Sequence, residues 1–163
     1  EEQLKELTFD MVICFNPSNS TLFNQTILHT GKLVLIAPKD QSPKEGIFKL
    51  STIKDEPFIK IKNLKTNQAQ NNLDEVLARE GIRVNWIAET ETIQVAKAMV
   101  EKGSGYSIID DFSAKIYGES ISIREIEPSI GYEICMISNK EKPLSVNAKS
   151  FISFLEGVVS DSN

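Results

Sequence analysis

The segment Glu89-Thr90-Glu91-Thr92 could hold an anion, because it directly precedes residues with helical spacing. The free N–H groups at a helix start favour negative charge through hydrogen bonds and the helix dipole. The hydroxyls of Thr90 and Thr92 can add donors. Plain N-capping by the same threonines is an equally good interpretation, and Glu89 and Glu91 would repel an anion. Both interpretations stay open at this point.

Lys60 is the second candidate, because it is a cation inside the otherwise apolar run Pro57-Phe58-Ile59-Lys60-Ile61. A lysine in such a place suits pairing with a carboxylate. Its alternation with Ile59 and Ile61 also fits a side chain that simply points outward into solvent. The sequence alone leaves these two alternatives open.

Other residues with chemical potential fit structural roles better. The Gly103-Ser104-Gly105 turn follows a helix and enters a strand, which is the reverse of the order in phosphate-binding loops. His29 is the sole histidine and has no second metal ligand or serine–acid partner in a recognisable motif. Asp110-Asp111 follows a strand and is expected to cap the next helix. We therefore expect no metal, no cofactor and no enzymatic activity.

The elements around the first candidate predict a strand–helix–strand unit from Ile82 to Asp110. Ile82, Val84, Trp86 and Ala88 alternate with polar residues, as in a strand. From Ile93 the apolar residues recur at helical spacing, and Gly103 is placed to end that helix. Tyr106–Ile109 is short, apolar and β-branched, so a second strand follows. Such units build parallel sheets, and ligands bind at the carboxyl ends of the strands.

The rest of the chain continues the alternation of strands and helices, which predicts an α/β fold. We predict strands over the following stretches: Phe9–Phe15, buried on both faces; Ile27–Thr30; Lys32–Ala37; Pro57–Ile61; Ile121–Ile126; Tyr132–Ser138. We predict helices at Glu1–Leu7, about Thr66–Glu80, around Phe112–Ile116 up to Gly118, and after Ser145, with a buried stripe of Ala148, Phe151, Ile152, Leu155 and Val159.

Composition narrows the class of protein. The 163 residues carry a formal net charge of −5, which argues against nucleic-acid binding by this segment, since phosphate contacts need clustered cations. No apolar run approaches membrane-spanning length. Cys14 and Cys135 lie in apolar strand-like runs without CxxC spacing, and they are interpreted as buried free thiols in a reducing cytoplasm. Redox sensing is the less favoured alternative for these cysteines.

Five stretches in order resemble the effector-binding domain of LysR-type transcriptional regulators. They are Phe9–Ile13, similar to the family's "LDLAI" strand; Leu33–Pro38, similar to "LVLVAP"; Pro57–Ile59, similar to "PFI"; Val100–Ile109, similar to "V-AGLGIALLP"; and Pro143–Ser145 with Phe151-Ile152, similar to "PLS…A..F". One departure is Asp110, where the family's strand closes with proline.

The resemblance implies a type 2 periplasmic-binding-protein-like fold, with two Rossmann-like lobes joined by two crossing strands. Lobe I would comprise residues 1–37 and 128–163 with the crossing strands, and lobe II residues 38–127. The family's opening strand, helix and strand have no counterpart here, which implies an N-terminally truncated lobe I. An unpaired sheet edge would then favour self-association into a homodimer or higher oligomer.

The resemblance also implies a function and a site. The chain would be the cytoplasmic effector-sensing domain of a bacterial regulator, which would bind a small anionic molecule in the interlobe cleft. Its DNA contacts would be made only by a missing N-terminal winged helix-turn-helix, and it would have no membrane partner. The alternative is a solute-binding protein of a transport system with the same fold. The expected effector-binding residues are Phe15, Asn16, Phe58, Lys60, Ile61, Thr90 and Thr92.

Overall fold

The computed structural model describes residues 4, 6, 8–17, 21–41, 46–53, 55–62, 68–116 and 120–160. Its strands are β1 Met11–Phe15, β2 Phe23–Pro38, β3 Phe48–Lys49, β4 Pro57–Ile61, β5 Asn85–Thr90, β6 Tyr106–Asp110, β7 Ile121–Glu127 and β8 Gly131–Asn139. Its α-helices are α1 Gln68–Arg79, α2 Ile93–Glu101, α3 Asp111–Ile116 and α4 Val146–Ser160. Short 3-10 turns cover Lys39–Gln41 and Leu50–Thr52. The alternation confirms the predicted α/β class.

The chain forms two compact units. Unit 1 comprises Glu1–Thr30 and Glu133–Asn163, and unit 2 comprises Gly31–Tyr132. The chain therefore passes from one unit to the other inside β2 and again inside β8. The lobe bounds predicted from the sequence, with lobe II at 38–127, stay a prediction.

Unit 2 contains a mixed sheet. The second half of β2 pairs antiparallel with β6 on one side and with β7 on the other. β4 lies between β5 and β6 and runs parallel to both, while the two-residue β3 runs parallel to β7. Helix α2 packs on one face of this sheet, where Ala96 and Val100 join a buried cluster with Ile59, Ile61 and Ile109. Removing these side chains from water stabilises unit 2.

The predicted strand–helix–strand unit is present with shifted bounds. β5 begins at Asn85 and extends to Thr90, so two of the residues expected at the helix opening belong to the strand. Its partner in the sheet is β4 and not β6. Helix α2 begins at Ile93 as predicted, and Gly103 follows it with φ of 77°. Ser104 N–H donates to Met99 O at 3.0 Å, which completes the glycine-type helix end.

Unit 1 is built on the antiparallel pair β1–β8, and β8 also lies beside β2. Its described core contains Leu4, Phe23 and Ile137. Helix α4 starts as predicted, because the Ser145 hydroxyl accepts from Ala148 N–H at 3.2 Å.

Three sequence-based expectations are wrong, and one short strand was not expected. β1 is not buried on both faces, because Ile13 is 45% exposed. The two strands expected at Ile27–Thr30 and Lys32–Ala37 are one continuous strand, β2, since no residue between them breaks the extended backbone. β3 was not expected, because two residues are too few to show a period. Phe151 is 42% exposed and lies outside the buried stripe of α4.

Some expectations fall on residues outside the described ones. These are most of the helix at Glu1–Leu7, the helix end at Gly118 and the side chain of Val159.

Asp110 does cap the following helix as expected, because its Oδ1 accepts from Ser113 N–H at 2.7 Å.

Candidate anion site at the start of helix α2

Strands β4 and β5 end side by side and bring the start of α2 to the carboxyl edge of the sheet in unit 2. Ile61 and Thr90 are paired in the parallel register. Lys62 N–H then donates to Thr90 O at 2.7 Å, which continues the ladder for one more residue. Ile93 opens α2 directly afterwards. In α/β sheets this edge is where ligands bind.

Both candidate threonines make local hydrogen bonds. The Thr92 hydroxyl accepts from Val95 N–H at 3.4 Å, so Thr92 is the N-cap of α2. The Thr90 hydroxyl accepts from Thr92 N–H and lies 3.3 Å from Thr92 O. The N-capping interpretation of the sequence is therefore correct for Thr92. The Thr92 hydroxyl accepts from Val95 N–H and keeps its own O–H as a donor, so its capping role and a contact to an anion are compatible. The O–H of Thr90 is already directed to Thr92 O.

Lys60 lies on the sheet face that α1 covers. Its Nζ is 3.0 Å from Asp74 Oδ2 and 5.5 Å from the centroid of the Trp86 ring. The side chain of Lys60 is 24% exposed and that of Asp74 is 36% exposed. The charge of Lys60 is thus matched inside unit 2 by a carboxylate and an aromatic face. Whether Lys60 also contacts an effector stays a prediction.

Phe58 and Ile61 are buried parts of the same strand. Phe58 is 0% exposed and packs against Trp86 and Tyr106, with ring centroids 6.1 and 5.6 Å apart. Ile61 is 4% exposed and belongs to the cluster beneath α2. The structure therefore brings Ile61, Thr90 and Thr92 together at the strand ends, with Phe58 and Lys60 on the opposite face of β4.

Lys62 is a cation at this edge that the sequence reasoning missed. Its Nζ lies 3.2 Å from Glu91 Oε1, and both side chains are about half exposed or more. The ion pair joins the residue after β4 to the residue before the N-cap of α2. Lys62 could have been found by its position, since it is the first residue after the predicted strand end at Ile61. Glu91, which had counted against an anion, has its charge balanced here.

Phe15 and Asn16 lie at the end of β1 in unit 1. Asn16 has φ of 38°, which is uncommon for a residue other than glycine. Its N–H donates to Glu133 O at 2.8 Å, and its side-chain Oδ1 accepts from Glu133 N–H. Asn16 thus ends the β1–β8 ladder through both its backbone and its side chain. Phe15 is half-buried.

A separate depression of about 360 Å³ in unit 2 contains none of the predicted site residues. Its lining residues are Lys32, Val34, Asp111, Lys115, Ile123 and Glu125. The charged ones form pairs, since Lys32 Nζ is 2.5 Å from Glu125 and Lys115 Nζ is 3.5 Å from Asp111. Paired charges of this kind leave little net attraction for an ion.

The described part of the chain has neither a metal-binding cluster nor a membrane-spanning helix. No group of three or more His, Cys, Asp or Glu side chains there could hold a metal ion. No helix among those residues has the length and apolar character needed to cross a bilayer.

Comparison with known families gives one match over almost the whole chain. The family model described as "LysR substrate binding domain" matches residues 1–160. No curated protein matches the sequence.

Solved structures share the fold. The CcmR regulatory domain of Synechocystis PCC6803, solved in complex with 2-PG, superposes with a TM-score of 0.82 at 19% identity, and the match covers 97% of this chain and 77% of that one. The effector binding domain of QuiR in complex with shikimate gives 0.78 at 21% identity, with 98% and 76% covered. Full-length CbnR complexed with its target DNA gives 0.76 at 19% identity, with 97% and 56% covered. The chain thus spans about three-quarters of the regulatory domains and about half of the full-length regulator.

Proposed function

The chain belongs to the LysR substrate binding domain family, and from this premise we propose that it is the effector-sensing domain of a LysR-type transcriptional regulator that responds to a small anion. Its α/β fold is the type 2 periplasmic-binding-protein-like fold of LysR regulatory domains. The family and the solved structures are those of transcriptional regulators, and we propose that this chain likewise works by binding rather than by catalysis. We also propose that it acts in the cytoplasm.

One observation carries the proposal: helix α2 begins at the carboxyl end of the parallel pair β4–β5. The first N–H groups of a helix have no partner within the helix and attract negative charge. The hydroxyl of Thr92 accepts from Val95 N–H and keeps its O–H as a donor for an anion. Thr90, whose O–H donates to Thr92 O, lies beside it. Two of the related domains were solved with small molecules, 2-PG and shikimate, which supports a small-molecule effector here.

Each of the two units carries proposed contacts. In unit 2, Thr90 and Thr92 would hold the anion with Ile61 beneath them. Lys60 and Phe58, on the opposite face of β4, would supply positive charge and apolar support. In unit 1, Phe15 and Asn16 are the candidates. Lys62 joins the proposed set because it lies at the same strand end as Thr90.

The test is calorimetric titration with small carboxylates and inorganic anions after a thermal-shift screen. Thr92→Ala removes the hydroxyl and should weaken affinity about 10-fold, which corresponds to about 1.4 kcal/mol and to one lost hydrogen bond. Thr92→Ser keeps the hydroxyl and should bind like the wild type. Lys102→Ala changes an exposed cation at the other end of α2 and serves as the matched control. Equal affinity of Thr92→Ala and wild type for every anion bound would refute the site at α2.

We further propose that copies of the chain associate through the edge of β1. Among the described residues, β1 pairs only with β8, and Ile13 on this strand is 45% exposed. An edge strand with an apolar side chain is a template for pairing with another strand. Sedimentation should therefore show concentration-dependent oligomers, which Ile13→Lys should dissociate. Val146→Lys, at an apolar position 79% exposed on α4, is the control and should change nothing.

DNA binding is proposed to need a part of the regulator outside this sequence. The net charge of −5 makes non-specific phosphate contacts unfavourable. The chain should leave a DNA duplex unretarded in a gel at moderate salt. A specific shift by this chain alone would contradict the assignment.

A further inference from the structure

Two cysteines far apart in the sequence lie directly opposite each other in unit 1. Strands β1 and β8 are antiparallel, and their register pairs Cys14 with Cys135. Neither cysteine is in a disulfide. Because the two residues of a directly opposite pair project from the same face of a sheet, the two thiols are neighbours across the strands.

The surroundings of the two thiols differ. Cys135 is 0% exposed, and its Sγ accepts from Gln25 Nε2 at 3.3 Å and lies 3.8 Å from Glu133 Oε2. Cys14 is half-buried and packs against the small core of Leu4, Phe23 and Ile137. A small oxidant in solution therefore reaches Cys14 more readily than Cys135.

We propose that Cys14 and Cys135 form a reversible intramolecular disulfide when the protein meets a hydroperoxide. The site does not depend on the proposed effector function. A disulfide that forms and is reduced again is the kind expected of a protein in a reducing compartment.

The strand register supplies the geometry. Opposite residues in an antiparallel pair have Cβ atoms roughly 4.5–5.5 Å apart, and a disulfide needs roughly 3.5–4.5 Å between the same atoms. The two strands must approach by about 1 Å for the bond to close. A bond that pulls its strands together in this way is more easily reduced than a relaxed structural disulfide.

The chemistry has two balanced steps. The Cys14 thiolate attacks the peroxide O–O bond, takes one oxygen to become a sulfenic acid and releases the alcohol or water. The Cys135 thiolate then attacks the Cys14 sulfur, forms the S–S bond and expels hydroxide, which takes up a proton to become water. In total the two thiols lose two electrons and two protons, and the peroxide is reduced.

The relative rates of the two steps follow from the burial of Cys135. Burial raises the pKa of the Cys135 thiol, so that little thiolate is present there at neutral pH, and the second step is the slower one. The sulfenic acid on Cys14 should therefore last long enough to be trapped by dimedone.

The disulfide would tie the last residues of β1 to β8. Phe15 and Asn16 directly follow Cys14, and Asn16 already bonds to Glu133 two residues before Cys135. Oxidation would thus add a covalent link next to Asn16, at the end of the β1–β8 ladder.

The experiment treats the 163-residue chain with a small molar excess of hydrogen peroxide. The chain is then unfolded, its remaining thiols are alkylated, and it is mapped by mass spectrometry without reductant. We expect one peptide pair linking Cys14 to Cys135, loss of two hydrogen atoms in the intact mass, and full reversal by dithiothreitol. Dimedone added with the peroxide should label Cys14 and suppress the link.

Single variants test the assigned roles. Cys135→Ala should accumulate the dimedone adduct on Cys14, whereas Cys14→Ala should leave Cys135 reduced under the same treatment. Mapping of the wild-type chain needs no variant to fold and decides the question by itself. Two reduced thiols, a link between two chains, or sulfinic acid on Cys14 without a disulfide would each overturn the proposal.

Discussion

The Tyr132 hydroxyl donates a hydrogen bond to Asp111 Oδ1 at 2.8 Å. This bond joins the last residue of unit 2 to the first residue of α3. The same Oδ1 accepts from Lys32 N–H at 3.2 Å, and Lys32 is the second residue of unit 2. The Asp111 carboxylate thus accepts hydrogen bonds from Lys32 and Tyr132. These two residues lie next to the two points at which the chain passes between the units. Tyr132 is 2% exposed, so its hydroxyl has little access to water as a substitute partner.

Tyr132→Phe should destabilise the protein by about 1–3 kcal/mol, the range for a buried hydrogen bond to a charged group. The substitution removes the Asp111 contact and also the weaker bond from Phe112 N–H to the hydroxyl, at 3.4 Å. Urea unfolding measures the loss. Asp111→Asn and the double variant complete a cycle, and the coupling energy should be about 1 kcal/mol or more. Purely additive losses would mean that the two side chains act independently.

Stability should also fall at alkaline pH because of Tyr132. Burial and then the Asp111 hydrogen bond raise the pKa of Tyr132 above its ordinary value. The folded chain keeps the phenol proton at a pH where the unfolded chain loses it, so the contribution is complete below pH about 10 and is lost above it. Urea titrations from pH 8 to 11 (roughly spanning that value) should show a decline that is smaller in Tyr132→Phe. An equal decline in both proteins would contradict the assignment.

Gly31→Ala should be one of the most damaging small substitutions in the chain. A Cβ at Gly31 would lie 2.5 Å from Asp111 Oδ1 and 2.5 Å from two atoms of the Tyr132 phenol, so both side chains of this hydrogen-bonded pair would have to shift. A loss of about 1–3 kcal/mol is expected for such overpacking. Gly157→Ala is the matched control, because nothing lies within 4 Å of a Cβ there. In helix α4 that change should stabilise by about 0.5–1 kcal/mol.

Much of unit 2 could be predicted because its elements carry a clear period. The run Pro57–Ile61 has the bounds of β4, and α2 begins at Ile93 and ends before Gly103 as expected. Unit 1 was predicted less well. The apolar run that contains Ile13 looks the same whether one face of the strand or both faces are buried, because the sequence does not state what packs on a strand. The exposure of Phe151 on α4 has the same cause.

The site was harder to predict than the fold, because side-chain partners are set by tertiary contacts. The capping role of Thr92 follows from its position before α2 and was one of the two interpretations that the sequence left open. The partner of Lys60 was not, since Asp74 lies on α1 and only the packing of α1 on the sheet brings the two together. The pairing of Cys14 with Cys135 depends on the register of β1 against β8, which neither strand shows alone.

The last prediction concerns the ion pair of Lys60 and Asp74. Substitutions at these two residues distinguish a structural role of Lys60 from a contact with the effector. Lys60→Met and Asp74→Asn should each destabilise the protein by about 1 kcal/mol or less, since the ion pair is partly exposed. Their effects on anion affinity should differ. Lys60→Met removes a cation and should weaken binding by about 1–3 kcal/mol, whereas Asp74→Asn leaves the cation without its internal carboxylate and should maintain or strengthen binding.

Calorimetric titration of the Lys60→Met, Asp74→Asn and Lys62→Met variants measures this difference in anion affinity. A loss of affinity in both Lys60→Met and Asp74→Asn would indicate that the pair acts only by holding α1 on the sheet. Unchanged affinity in Lys60→Met would remove Lys60 from the site. If Lys62→Met alone then weakened binding, the cation at the end of β4 that pairs with Glu91 would be the one that serves the effector. The position of Lys62 next to the start of α2 supplies the physical reason, since the helix dipole and the ammonium group act on the same anion.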